Sequence, residues 1–157
     1  MADLLCMGEP MLEFNQLPPL PEATVHYLEG HGGDTSNAAI AAARQGASAG
    51  YITAIGKDAP GDSLMALWQR EGVDTATVLR TEHGQTGIYF VTHDAKGHHF
   101  LHYRKDSPAA LYESADLPER ALQAAKIIEL HSRLADDQRS SCPPSLNSLI
   151  CGDGRIA

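Results

Sequence analysis

Long apolar runs are missing from this chain. No stretch approaches the roughly 18 residues of a membrane-spanning helix, so no such span is expected. Positive charge is also scarce. Twelve Lys and Arg stand against 20 Asp and Glu, the formal net charge is −8, and the basic residues form no stripe. A nucleic-acid partner therefore has little support, while an anionic small molecule could still be met by a few local donors. Cysteine is rare as well. Cys6, Cys142 and Cys151 are odd in number and form no Cys-x-x-Cys, so neither a disulfide framework nor a zinc site is expected. That usage fits reducing cytoplasm. The start, Met1-Ala2-Asp3-Leu4-Leu5, has no basic segment, and no secretory leader is expected.

What remains is a globular composition, 43% hydrophobic and 20% charged over 157 residues, enough for one domain with a core. Strands are expected at 4–7, 11–14, 24–28, 50–55, near Val78-Leu79, at 86–92, 98–103 and from Ile127. Leu17-Pro18-Pro19-Leu20-Pro21 interrupts any regular element. A helix is expected over 34–45, capped by Asp34, rich in alanine and stopped by Gly46. A second, over 61–71, places Leu64, Leu67 and Trp68 on one face and closes at Gly72. A short third helix runs from Pro118 to Lys126.

Alternating strands and helices argue for an α/β fold with a largely parallel sheet. The 86–103 hairpin, turning at Asp94-Ala95-Lys96-Gly97, and the 24–28 strand break that alternation. They are expected to form a small β lid, about 11–29 and 84–104, on an N-terminal part spanning 1–130. From 131 to 157 no period is sustained, and Pro143-Pro144 interrupts the run, so a loop-like or disordered tail is expected.

Gly32-Gly33-Asp34-Thr35-Ser36-Asn37 is the most informative stretch. Glycines let a backbone approach a small ligand, and the helix start behind them offers free N–H donors. With Gly56-Lys57-Asp58-Ala59-Pro60-Gly61 and Glu71-Gly72-Val73-Asp74-Thr75 in order downstream, it resembles the substrate-binding signature of ribokinase-like (PfkB-type) carbohydrate kinases over about residues 3–128. Gly8-Glu9-Pro10-Met11-Leu12-Glu13-Phe14, Gly33-Asp34-Thr35-Ser36-Asn37 and Tyr103-Arg104-Lys105-Asp106-Ser107-Pro108-Ala109-Ala110 look more like 2-keto-3-deoxygluconate kinases than like ribokinases.

The resemblance implies a three-layer α/β/α sheet with a projecting lid, and phosphoryl transfer from ATP and Mg2+ to a sugar hydroxyl. It implies substrate contacts at Gly32, Gly33 and Asn37. Arg104 is a bidentate partner for a carboxylate or a surface residue of the hairpin. Tyr89 stacks on or hydrogen-bonds a sugar, or packs in its sheet, and Glu9 has a direct or water-mediated role. The lid offers a homodimer surface. Ribose and fructose are the alternative substrates, and a non-catalytic sugar-binding or association role is the alternative function.

The family's Gly-Ala-Gly-Asp segment, which carries the base and the nucleotide's anion cradle, has no matching copy. Ile150-Cys151-Gly152-Asp153 is the nearest sequence, and four residues behind Asp153 cannot build the helix that segment needs. No catalytic residue is assigned, and the main nucleotide-binding half is expected to be missing. A reading-frame shift near residue 128 accounts for the altered tail; a genuine short paralogue is the alternative. The clustered His98, His99 and His102 lack a flanking carboxylate or Cys at ligand spacing, so no metal site is expected.

Overall fold

The computed structural model describes residues 2–18 and 24–130. The expected tail, and Asp153 within it, lie outside the described residues. Leu4–Met7 forms β1, and Ala49–Gly56 forms β4, every residue of it buried. Their apolar run is what a strand covered on both faces requires. Val78–Thr81 (β5) and Ile127–Leu130 (β8) complete a sheet ordered β5-β4-β1-β8, with every pair parallel.

Two helices cover one face, α1 (Asp34–Arg44) and α2 (Ala59–Glu71). Between them and the sheet sit Cys6, Tyr51, Ile55, Leu64 and Trp68. The alanines of α1 let it lie close. Its Thr35 and Ser36 turn inward, where Thr35 Oγ1 and the Tyr51 hydroxyl share a 2.9 Å hydrogen bond and Ser36 Oγ accepts the Trp68 indole N–H at 2.8 Å. Burial and then the neighbouring Glu129 push the Cys6 thiol up to about 12, so it is an inert core thiol. The other face packs Leu5, Met7, Ile52 and Tyr112 against α3 (Glu119–Ala124) through Leu122.

The remaining strands make a second sheet. Its members are β2 (Met11–Gln16), β3 (Tyr27–Gly32), β6 (Ile88–Asp94) and β7 (Gly97–Tyr103), ordered β3-β2-β6-β7. Two antiparallel hairpins lie side by side along a parallel seam in which Leu12 faces Ile88 and Asn15 faces Val91. The expected strand at 24–28 is corrected to Tyr27–Gly32. Gly30 and Gly32 weaken its intrinsic preference, and the full-length ladder to β2 supplies what the side chains do not. The second helix begins two residues earlier than expected. Asp58 is its N-cap and Pro60 lies in its first turn, while Gly72 ends it at φ 76°.

Candidate substrate site at the junction of the two sheets

The chain passes between the sheets at Gly8-Glu9-Pro10, Gly32-Gly33, Thr86-Gly87 and Arg104–Ser107, and these crossings converge on Glu9. Gly33 has φ 120°, and a Cβ there would stand 2.9 Å from the Glu9 carbonyl oxygen and 3.1 Å from Pro10 Cα. A Cβ on Gly87 would lie 3.1 Å from Glu9 Oε1 and 3.5 Å from Arg104 Cβ. Both glycines are therefore demanded by close approach of backbone and side chains.

Asp34 does not cap α1, contrary to expectation. Gly33 occupies the N-cap position with no side-chain hydrogen bond, and Asp34 is the first helical residue. A β-region Asp at the cap would have turned its carboxylate onto the helix N–H groups. The φ of 120° at the junction admits only glycine there, which moves Asp34 one place into the helix. The start of α1 is thus left without a side-chain lid. Asn37 lies in the first turn, its N–H bonded to the Gly33 carbonyl and its exposed amide without a partner among the described residues.

Tyr89 stands on β6 beside Gly32, where an added Cβ would run into the phenol oxygen. Its hydroxyl donates to Glu13 Oε2. Burial, then the Glu13 carboxylate and then Asp34 push the phenol well above its ordinary range, so it stays a neutral donor at physiological pH. His102, opposite Tyr89 in the ladder, stacks on it with ring centroids 5.5 Å apart. Sequence reasoning had set His102 aside with its neighbouring histidines. The available signal was its place near the end of β7, two positions before Arg104.

Arg104 leaves the end of β7. Its Nη2 pairs with Glu9 Oε2, while Ser107 Oγ donates to Glu9 Oε1 at 2.6 Å. Of the residues expected in the site, Glu9, Gly33 and Arg104 are thus brought into one cluster, Gly32 and Tyr89 into an adjoining one, and Asn37 onto the helix start. A cavity of about 540 Å³ opens beside the cluster, lined by Arg104, His102, Tyr103, Lys105, Gln85 and Thr86 among others. Gly32, Gly33 and Asn37 are not part of its wall. Two cations, Arg104 and Lys105, are among its lining residues. Its one carboxylate, Asp58, is engaged by Gly61 N–H, Thr86 N–H and the Thr86 hydroxyl. Among the described residues no group of three or more His, Cys, Asp or Glu could hold a metal ion.

A parallel sheet covered by helices on both faces, with a second sheet standing over the start of α1, defines the ribokinase-like fold. Residues 1–148 match the family described as pfkB family carbohydrate kinase, and the chain belongs to that family. The match runs 20 residues past the point where the motif resemblance ended.

The 2-dehydro-3-deoxygluconokinase of Dickeya dadantii (strain 3937) is 33% identical over 130 residues, which is 79% of this chain and 40% of that protein. A crystal structure of fructokinase with bound ATP from Xylella fastidiosa superposes with a TM-score of 0.78 at 25% identity, covering 84% of this chain and 42% of that one. The 2-dehydro-3-deoxygluconokinase of Thermotoga maritima shares the fold with a TM-score of 0.73 at 22% identity, over 83% of this chain and 41% of the other. The chain spans about two-fifths of the length of these relatives.

Proposed function

We propose that this chain is the substrate-side portion of an ATP-dependent sugar kinase acting on 2-dehydro-3-deoxygluconate or a similar sugar acid. The observation that supports the reading is the Glu9 cluster at the junction of the two sheets, where Arg104 borders the cavity and Gly33 presses on the Glu9 backbone just before α1. A guanidinium suits a carboxylate, and the free helix start and the Asn37 amide suit sugar hydroxyls. His102 and Tyr89 present stacked rings to the sugar face. Mg-ATP, when bound, supplies the phosphoryl group. The residues here bind and orient the acceptor, and the second sheet serves as its lid. The setting we propose is the cytoplasm, which the reduced, buried Cys6 suits.

Calorimetric titration of the 157-residue chain tests the binding step. The acid sugar is expected to bind more tightly than fructose or ribose. Arg104→Gln should remove that preference, a loss of about tenfold for a charged hydrogen bond. Equal affinity for acid and neutral sugars in both proteins would sink the reading. In a coupled ADP-release assay the chain alone is expected to give no turnover, because no described residue is placed as a base. Turnover abolished by Asp153→Asn would overturn that.

A second reading, association through the lid, is favoured by β7, where Phe100, Leu101 and Tyr103 are 54–56% exposed on an edge strand. The partner we propose is a second copy of the chain. Sedimentation equilibrium is expected to show a dimer that Leu101→Lys converts to monomer. A monomeric wild-type chain at tens of micromolar would dismiss it.

A further inference from the structure

We infer that Glu9 is a positioning residue for Arg104, an internal carboxylate that holds the guanidinium at the sugar cleft instead of touching the sugar itself. The inference rests on the proposed sugar-acid reading and assigns one residue of that site a different task.

Glu9 lies just beyond the end of β1, and its side chain is only 7% exposed. Both carboxylate oxygens are committed. Oε1 accepts the Ser107 hydroxyl at 2.6 Å. Oε2 is buried, makes no hydrogen bond among the described residues, and meets the Arg104 guanidinium as an ion pair. Ser107 is itself buried, and its Oγ also accepts the Ala110 N–H at 3.2 Å, so its hydroxyl proton is directed at Glu9. Gly87 closes the remaining side, since even a Cβ there would reach Glu9 Oε1 at 3.1 Å. No oxygen of Glu9 is left for a sugar hydroxyl.

Arg104 is the more open partner, with 29% of its side chain exposed, and it borders the cavity. Glu9 takes Nη2, and no other side-chain partner meets the guanidinium among the described residues. Ordering a long side chain on binding costs affinity, and a fork already fixed from behind avoids that cost. The arrangement also ties the exit of β7 to the exit of β1 through residues 98 positions apart.

The test uses the isotopically labelled full chain. The Arg104 Nε–H is expected to be ordered in the free wild-type protein by its heteronuclear Overhauser effect. It should become mobile in Glu9→Gln, which keeps the Ser107 bond and loses the charge. Ser107→Ala, a second variant with its own readout, should loosen the same signal. In calorimetry Glu9→Gln is expected to weaken 2-dehydro-3-deoxygluconate binding by about three- to tenfold and leave fructose unchanged. A mobile Arg104 in the wild type, or one equally ordered in both variants, would overturn the inference. So would an equal loss of acid and neutral sugar in Glu9→Gln, which would make Glu9 a direct ligand. If the wild type binds no sugar at all, the sugar-acid reading fails, and the nuclear magnetic resonance arm alone decides whether Glu9 positions Arg104.

Discussion

Gly33→Ala is expected to lower the unfolding free energy by about 3 kcal/mol and to abolish measurable sugar binding. Two costs combine. At φ 120° an L side chain is strained on its own account, and the added Cβ would press on the Glu9 carbonyl oxygen at 2.9 Å. Neither the junction into α1 nor the Glu9-Pro10 crossing can move alone, because each is packed against the other. Shifting Glu9 also shifts the carboxylate that Arg104 and Ser107 share. For a chain of this size the stability loss corresponds to roughly 6–12 °C in Tm. Gly46→Ala is the control, since Gly46 has φ 87° but nothing within 4 Å of its Cβ. It should cost only the dihedral strain, about 1 kcal/mol, and leave binding alone. Equal melting of the two variants would show that crowding at Gly33 does not matter.

Asp58→Ala should cost a similar amount for a different reason. Asp58 caps α2 through Gly61 N–H at 2.8 Å, and it also accepts Thr86 N–H at 2.8 Å and the Thr86 hydroxyl at 2.7 Å. Thr86 is buried, and its Oγ1 in turn accepts the Gly56 N–H at 2.9 Å. Removing the carboxylate leaves donors without partners at the root of the second sheet, for about 3 kcal/mol in total. The pH dependence distinguishes this from a generic cavity effect. Burial pushes the Asp58 carboxyl up, but the bonds from Thr86 and Gly61 and the charge of Arg80 together hold it below its ordinary 3.8. A depressed folded pKa means that the stabilisation is present above about pH 4 and is lost as pH falls through the folded value. Chemical denaturation of the wild type between pH 6 and 3 should therefore show a steeper fall than Asp58→Asn. Parallel curves would remove Asp58 from the acid-sensitive groups.

The helices were legible because their punctuation is local. Asp58, Pro60 and Gly72 each act within one turn, and Trp68 repeats on the face that Leu64 sets. The central strands announced themselves by unbroken burial, as in 49–56. The β3 strand was misplaced because its glycines carry no strand signal and its ladder to β2 is a tertiary fact. In the site, the Gly32-Gly33 pair could be read because glycine marks a backbone constraint wherever it falls. The partner of Arg104 could not. Arg104 was expected either to await a ligand's carboxylate or to lie on the hairpin surface, yet a carboxylate from the far end of the chain already meets it. The stacking of His102 on Tyr89 could not be read, because it depends on the register of two strands, which no single segment specifies.

The parallel seam between β2 and β6 also dictates when the site can come into being. Each hairpin of the second sheet closes locally, β6 and β7 across the turn between Asp94 and Gly97. Their junction does not, for Glu13 and Tyr89 are 76 positions apart. Everything from α1 to β5 must be laid down between the two halves before they meet. Contacts of such separation form late, because the chain loses its freedom before they reward it. The seam between β2 and β6 is therefore expected to close after the β6–β7 hairpin has formed.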